Sequence, residues 1–190
     1  MVFLVVEGLD ASGKTTQAQR LRDHLEARGC AVYARFHPES DNWAGIRARR
    51  FLLADGWSAH FAAAMFYIAD VLRSVIITPW RAYDYVIYVR YLMGTIYLPP
   101  PIGVFAYRFF TTILPRSKHV FYLDIKPEEA YSRIVRGRSQ IEMFESKEQL
   151  EKIGSRAFAL ASSSRWIIIN GAGTEEDVWE RILAKLKSNL

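Results

Sequence analysis

Short apolar runs separated by longer segments with helical spacing are the most regular feature of the chain. β-Branched and aromatic residues fill these runs, which we predict to be strands: residues 2–6, 31–36, 85–89, 119–123 and 166–169. The runs are continuous rather than alternating, which is typical of parallel strands covered on both faces. The pattern therefore predicts an α/β fold with a five-stranded parallel sheet flanked by helices.

The segments between these runs have the apolar spacing of helices. We predict helices over residues 14–28, 58–78, 127–136, 146–161 and 174–186. Residues 98–115 contain four prolines, and we expect an irregular segment there with at most one short helix. The chain has no internal repeat and no linker, so residues 1–190 are predicted to form a single domain.

A glycine-rich sequence, GLDASGKT, lies between the first predicted strand and the first predicted helix. It matches GxxxxGK[ST] in the strand–loop–helix context that a P-loop requires, which argues against an incidental glycine-rich turn. Lys14 is then expected to face solvent and ligand rather than the core and to reach the β- and γ-phosphates of ATP, and the Thr15 hydroxyl to bind Mg²⁺. The predicted ATP-binding positions of the loop are Gly8, Ala11, Ser12, Gly13, Lys14, Thr15 and Thr16.

Charge composition favours a small anionic ligand. The chain of 190 residues has 25 basic against 20 acidic side chains, a net charge of +5, and 18 of the basic residues are arginine. Arginine binds phosphate oxygens through two parallel hydrogen bonds. Duplex nucleic acid is disfavoured as a partner because the basic residues are scattered, with only residues 47–50 densely basic.

The cysteine content and the N-terminal sequence indicate the cellular compartment of the protein. Cys30 has no second cysteine to pair with, so an intrachain disulfide is excluded. The apolar N-terminal run meets Glu7 and Gly8 too soon for a signal peptide or a membrane span. We therefore expect a cytoplasmic protein that does not associate with membranes.

Residues 7–17, EGLDASGKTTQ, resemble the opening of thymidylate kinases, whose loops follow the pattern EGLDxxGKTTQ. The resemblance implies a P-loop NTPase-type three-layer fold with a short lid at about residues 136–146. It implies an enzyme that moves the γ-phosphoryl group of ATP to a nucleoside monophosphate, above all dTMP to dTDP. It also implies that Asp10 accepts a hydrogen bond from the sugar 3′-hydroxyl group of the acceptor.

Residues 66–73, FYIADVLR, are similar to the family helix written FAADR. The resemblance implies that Tyr67 stacks on the acceptor base, although an aromatic residue on an apolar helix can equally belong to the core. The family arginine is replaced by Val71. Arg73, the substrate-binding candidate, lies two positions further on, about 200° around the helix.

Residues 85–95, YVIYVRYLMGT, resemble the strand that ends in the family motif DRY. By this resemblance Arg90 is both a catalytic residue and a clamp on the acceptor phosphate, unless it is an ordinary surface arginine. The family aspartate is replaced by Val89, so either Glu7 or Asp10 takes its role or catalysis is weakened. We expect the side chain at position 89 to face the ligands rather than the core. The substrate-binding positions implied are Asp10, Phe36, Pro38, Tyr67, Arg73, Arg90, Tyr91 and Thr95.

Residues 121–130, FYLDIKPEEA, are similar to the fourth strand of the family and the helix that leads to its lid. The resemblance implies that Arg133 contacts ATP and that Arg136 and Arg138 supply catalytic charge from the lid; the alternative is a solvated basic helix end. It also implies a homodimer through the long apolar helix at 58–78. Two functional alternatives stay open, a nucleotide-binding protein with degenerate catalysis and a kinase of another small acceptor.

Overall fold

The computed structural model describes residues 1–54, 57–137, 142 and 145–189. One sheet is formed by five strands, β1 (Val2–Gly8), β2 (Val32–Phe36), β3 (Tyr85–Val89), β4 (His119–Asp124) and β5 (Ile167–Asn170). Their order is β2-β3-β1-β4-β5 and every neighbouring pair is parallel. The predicted α/β fold with a five-stranded parallel sheet is confirmed. The carboxyl ends of all five strands consequently meet at one edge, where ligands bind in open α/β sheets.

Helices cover both faces of this sheet. They are α1 (Lys14–Glu26), α2 (Trp43–Leu52), α3 (Trp57–Ile77), α4 (Pro100–Ile113), α5 (Pro127–Gly137), α6 (Lys147–Ser163) and α7 (Glu175–Asn189), with a short 3₁₀ helix at Met93–Tyr97. Leu4 and Val6 of β1 face the core beneath α1 and α7, whereas Phe3 and Val5 face the core beneath α3 and α4. This alternation places a packed apolar layer on each side of the central strand.

The expectation of an irregular segment at residues 98–115 is wrong, because α4 is a helix of 14 residues. Prolines occupy its first turn, where a missing amide hydrogen costs nothing, so they start the helix rather than prevent it. Helix α2 was not predicted at all. It is capped by the Asn42 side chain, which accepts from the amides of Ala44 and Gly45 at 3.0 Å. Its buried residues are Ala44, Gly45 and Ala48, so it lacks the large apolar side chains that mark most core-facing helices.

None of the helices in the described part of the chain is long and apolar enough to cross a bilayer. Most of the lid segment predicted at about residues 136–146 lies outside the described residues.

Candidate active site

The loop between β1 and α1 has the backbone that a P-loop requires. Gly8 and Gly13 have φ angles of 148° and 90°, and Ala11 also lies in the left-handed region at 57°. A Cβ atom at Gly8 would lie 2.6 Å from Ser12 Oγ and 2.7 Å from the Leu123 carbonyl oxygen. The close approach of the loop to β4 therefore depends on glycine at this position.

Lys14 is folded into the loop, and only 3% of its surface is exposed. Its ammonium group donates to the Leu9 carbonyl oxygen and lies 3.6 Å from Asp10 Oδ1. Burial and the nearby Arg90 guanidinium lower the pKa of Lys14 to about 7, although Asp10 and Glu7 act in the opposite direction. The expectation that Lys14 faces solvent before a ligand binds is thus wrong.

Ser12 Oγ is buried and has no hydrogen-bond partner among the described residues. An orphaned hydroxyl group beside a buried ammonium group fits a loop that holds a phosphate. Thr15 and Thr16 begin α1 and are exposed at the same end of the loop. The residues present therefore fit a bound phosphate group, with the exposed Thr15 hydroxyl group beside it.

A cavity of about 330 Å³ opens beside the P-loop. Seven residues expected at the ligand site line it, from β1, the P-loop, the end of β2, α3 and the turn after β3: Gly8, Asp10, Thr15, Phe36, Pro38, Tyr67 and Arg90. The volume is within the range of small-molecule pockets, which starts at about 300 Å³. The cavity thus joins the phosphate loop to the region where the acceptor motifs were expected.

Asp10 is held between two cations at the entrance to this cavity. Arg90 Nη2 lies 2.8 Å from Asp10 Oδ1, the same oxygen that faces Lys14. The Tyr97 hydroxyl group donates to Asp10 Oδ2 at 3.4 Å. The pairing offsets the cost of placing a carboxylate next to a phosphate loop.

The backbone of Arg90 lies in the left-handed region, with φ of 57°. Its amide donates to the Val6 carbonyl oxygen at 3.1 Å, and its carbonyl oxygen accepts from the Tyr67 hydroxyl group. Left-handed backbone is unfavourable for a side chain larger than glycine and persists only where the surroundings enforce it. The Arg90 side chain is 28% exposed at the cavity.

Tyr67 lines the cavity together with two alanines. Ala63 and Ala64 of the same helix leave space beside its ring. A Cβ atom at Gly94 would lie 2.5 Å from Tyr67 Cε1, so the ring rests directly on the glycine backbone. The position of the Tyr67 ring thus depends on the absence of a side chain at Gly94.

Sequence reasoning missed several residues of the cavity. They are His37, Arg49, Leu52, Ala63, Ala64, Met93, Gly94, Tyr97 and Glu142. Arg49 belongs to α2, and its guanidinium group donates to the Pro38 carbonyl oxygen at 2.6 and 3.0 Å. The Asn42 cap was the available signal for α2, and it would have placed Arg49 on a helix near the end of β2.

His37 is buried in the wall of the cavity and is uncharged near neutral pH. Burial lowers the pKa of His37 to about 4. Its Nδ1 lies 3.2 Å from the Val89 carbonyl oxygen, which requires the hydrogen to be on Nδ1. Nε2 has no hydrogen-bond partner within the described residues.

An ionic network fixes the loop that carries His37 and Pro38. Arg35 pairs with Asp41 at 2.7 Å and donates to Ser74 Oγ of α3. Asp70 of α3 accepts from the Glu39 amide and from the Asn42 side chain. The network ties the β2–α2 connection to α3, so the two walls of the cavity are held together.

Three expected substrate-binding residues do not line the cavity. Arg73 reaches Asp41 at 3.3 Å, because the two extra residues turn it away from Tyr67. Tyr91 is buried and its hydroxyl group donates to the Pro115 carbonyl oxygen at 3.0 Å. Thr95 is buried, with its hydroxyl group donating to the Leu92 carbonyl oxygen at 2.8 Å.

Val71 and Val89, which replace the arginine and the aspartate of the family motifs, are both core residues. Val71 is 4% exposed in the core beneath α3, and Val89 is completely buried in the core beneath α1. The expectation that the side chain at position 89 would face the ligands rather than the core is wrong in this chain. Asp10 and Glu7 both line the cavity instead.

Arg133, expected to contact ATP, lies against the P-loop. Its guanidinium group donates to the Ala11 carbonyl oxygen at 3.3 Å and to Gly171, in the loop after β5, at 3.3 Å. Arg136 is exposed and donates to Ser132 Oγ at 2.7 Å. Arg138 lies outside the described residues.

The basic cluster at residues 47–50 is used locally. Arg49 lines the cavity. The Arg47 guanidinium lies over the rings of Trp43 and Phe66, with its Cζ atom 5.4 and 5.5 Å from the two ring centroids. These contacts account for part of the cluster without a nucleic-acid partner.

Comparison with known proteins agrees with the geometry. The chain matches the thymidylate kinase family over residues 6–182. It is 25% identical over 195 residues to the probable thymidylate kinase 1 of Saccharolobus solfataricus, covering 99% of this chain and 98% of that protein. It is 28% identical over 204 residues to the thymidylate kinase of Cutibacterium acnes, covering 95% and 94%. A P-loop with a paired Asp10, an adjoining cavity and this match together establish that the chain belongs to the thymidylate kinase family, enzymes that phosphorylate dTMP to dTDP with ATP.

Proposed function

We propose that the P-loop of this chain binds MgATP, that the cavity binds dTMP, and that the γ-phosphoryl group passes between them. One observation carries the proposal. Arg90 and Lys14 meet at Asp10, where the phosphate loop joins the cavity, so two cations flank the place where donor and acceptor phosphates would approach.

On the donor side, we propose that Lys14 binds the β- and γ-phosphates of ATP. The loop amides and the Ser12 hydroxyl group would surround these phosphates. Thr15 is the protein hydroxyl that would hold Mg²⁺, and phosphate oxygens would supply further ligands. When bound, Mg²⁺ neutralises charge on the transferring group. Arg133 is suited to the nucleotide because it bridges the P-loop and the loop after β5.

On the acceptor side, the Tyr67 ring would stack on the base, with Phe36 and Pro38 completing the wall. Arg90 would bind the 5′-phosphate, and Asp10 would accept from a sugar hydroxyl group. Arg49 adds a guanidinium group to the same cavity and can donate to a carbonyl oxygen of a pyrimidine.

Catalysis in this proposal is positioning and charge neutralisation. The attacking phosphate oxygen is already ionised near neutral pH, so no general base is required. Lys14, Arg90 and the lid arginines Arg136 and Arg138 would offset the charge spread over the transferring group. Since the P-loop itself has Ala11 and Ser12 where an arginine could stand, the lid is the proposed source of further cations.

The direct test is a coupled kinase assay with ATP and a panel of nucleoside monophosphates. We expect ADP formation to depend on dTMP more than on dUMP, dCMP or purine monophosphates. Binding of ATP should be measured in parallel by calorimetry. ATP binding with no phosphorylated product from any acceptor would instead favour a nucleotide-binding protein with degenerate catalysis.

We also propose a homodimer through α3 and α4. Phe61, Met65 and Ile76 of α3 are 50%, 50% and 81% exposed, and Phe105 of α4 is 72% exposed. Apolar surface of this extent on neighbouring helices is typical of an interface.

Light scattering should give twice the chain mass of 21.9 kDa. Phe105→Glu combined with Met65→Glu should reduce it to one chain mass. Phe158→Glu, a matched exposed phenylalanine on α6, should leave it unchanged. A single-chain mass for the unaltered protein at micromolar concentration would contradict the dimer.

A further inference from the structure

Glu7 is a completely buried carboxylate near the end of β1. Its Oε1 atom accepts hydrogen bonds from three successive backbone amides, those of Tyr91, Leu92 and Met93, at 2.8, 2.9 and 3.2 Å. Three amides converging on one oxygen form a small anion-binding nest within the protein. Glu7 thereby connects the strand that leads into the P-loop with the turn that leaves β3.

This turn begins at Arg90, which adopts left-handed backbone. The Arg90 amide is held by Val6, its carbonyl oxygen by Tyr67 and its guanidinium group by Asp10. The next three amides are those held by Glu7. An unfavourable backbone conformation persists only where the surroundings enforce it, and Glu7 contributes three hydrogen bonds on the C-terminal side of Arg90.

A buried carboxylate is costly, and stability alone is a weak reason to have one. Burial raises the pKa of Glu7, whereas the three amides and the Lys14 ammonium group oppose that shift. The second oxygen, Oε2, has no hydrogen-bond partner among the described residues. The three hydrogen bonds that the Glu7 carboxylate accepts therefore all come from the turn after Arg90.

We propose that Glu7 is the positioning residue of Arg90: it holds the turn at residues 91–93 so that the guanidinium group points into the cavity and can bind the acceptor phosphate. The inference rests on the proposed function, in which Arg90 binds the acceptor phosphate. It assigns no contact between Glu7 and either nucleotide.

The test compares two substitutions that both remove the charge. Glu7→Gln keeps a carbonyl oxygen that can accept from the same amides, whereas Glu7→Leu has similar size and no acceptor. Affinities for dTMP and for ATP should be measured separately by calorimetry. We expect Glu7→Leu to bind dTMP at least about tenfold more weakly than Glu7→Gln, because the bonds to the turn are lost. ATP affinity should be the same in the two variants, since the charge next to Lys14 changes equally.

Equal dTMP affinity in Glu7→Gln and Glu7→Leu would overturn the inference. A difference that persists after Arg90→Ala is added to both variants would also overturn it, because Glu7 would not then act through Arg90. Absence of dTMP binding by the unaltered protein would instead contradict the proposed function.

Glu7→Asp keeps the experiment decisive if Glu7→Leu does not fold. It preserves the charge and withdraws the carboxylate from the amides by one carbon–carbon bond. We expect weaker dTMP binding with unchanged ATP binding. A parallel loss of both affinities would assign Glu7 a merely structural role and reject the inference.

Discussion

The P-loop is made of consecutive residues, 8–15, whereas the cavity beside it is lined from β1, the end of β2, α2, α3 and the turn after β3. The P-loop matches its motif at every required position. The acceptor motifs depart from the family pattern at Val71 and Val89, and both residues are buried in the core. A local loop can be recognised from consecutive residues, whereas a cavity lined from distant segments cannot be recognised from any one of them.

Arg49 and Arg73 illustrate the difference. The family arginine on α3 is absent, and Arg73 is paired with Asp41 outside the cavity. Arg49, from a helix that the sequence did not indicate, brings a guanidinium group to the cavity instead. The acceptor side therefore has to be understood from contacts rather than from motif positions.

Lys14→Ala is the most direct test of the proposed ATP-binding side. Loss of the buried ammonium group should reduce kcat/KM for ATP by about a hundred- to a thousandfold. Lys126→Ala, at an exposed lysine after β4, is the control and should have no effect. Unchanged ADP formation by Lys14→Ala in the dTMP-dependent assay would disprove the P-loop assignment.

The acceptor side is tested by comparing Arg90→Ala with Arg73→Ala. Removal of Arg90 should reduce kcat/KM for dTMP by about a hundredfold or more, with ATP affinity less affected. Arg73→Ala should change dTMP phosphorylation less than about threefold, because an exposed ion pair with Asp41 contributes little. If Arg73→Ala costs as much as Arg90→Ala, the cavity is not the acceptor site.

The two sides should also differ in pH dependence. The pKa of Lys14 is lowered to about 7 in the free protein, and a bound triphosphate raises it again by stabilising the ammonium form. Above about pH 7, ATP binding must therefore take up a proton, and affinity should fall by up to about tenfold per pH unit. Calorimetry at about pH 8 in buffers of different ionisation enthalpy should detect the uptake. Lys14→Met should abolish it, and dTMP binding should not reproduce it.

Gly94→Ala should narrow the cavity proposed to bind dTMP and leave ATP binding unchanged. The new Cβ atom would lie 2.5 Å from Tyr67 Cε1, so the ring must move into the cavity. We expect KM for dTMP to rise by several-fold to about tenfold, with KM for ATP unchanged. An equal rise in both KM values would indicate that the turn after β3 had shifted as a whole.

Tyr67→Phe is the smallest expected change on the acceptor side. It keeps the stacking ring and removes the hydroxyl group that donates to the Arg90 carbonyl oxygen. Loss of one such bond is worth about 1 kcal/mol, or roughly fivefold in dTMP affinity. Tyr67→Leu should cost more, because it removes the ring too; equal effects would contradict stacking.

The sequence determined the individual strands and the P-loop because both depend on nearby residues. Continuous apolar runs mark strands that are buried on both faces, and GLDASGKT places its glycines, lysine and threonine within one turn. The tertiary structure decided α2, α4 and the cavity beside the P-loop. The prolines predicted an irregular segment, but they occupy the first turn of α4, and α2 buries only small residues. The roles of Arg49, Gly94 and Glu7 arise from contacts with residues at least 11 positions away in the sequence, and no local pattern specifies such contacts.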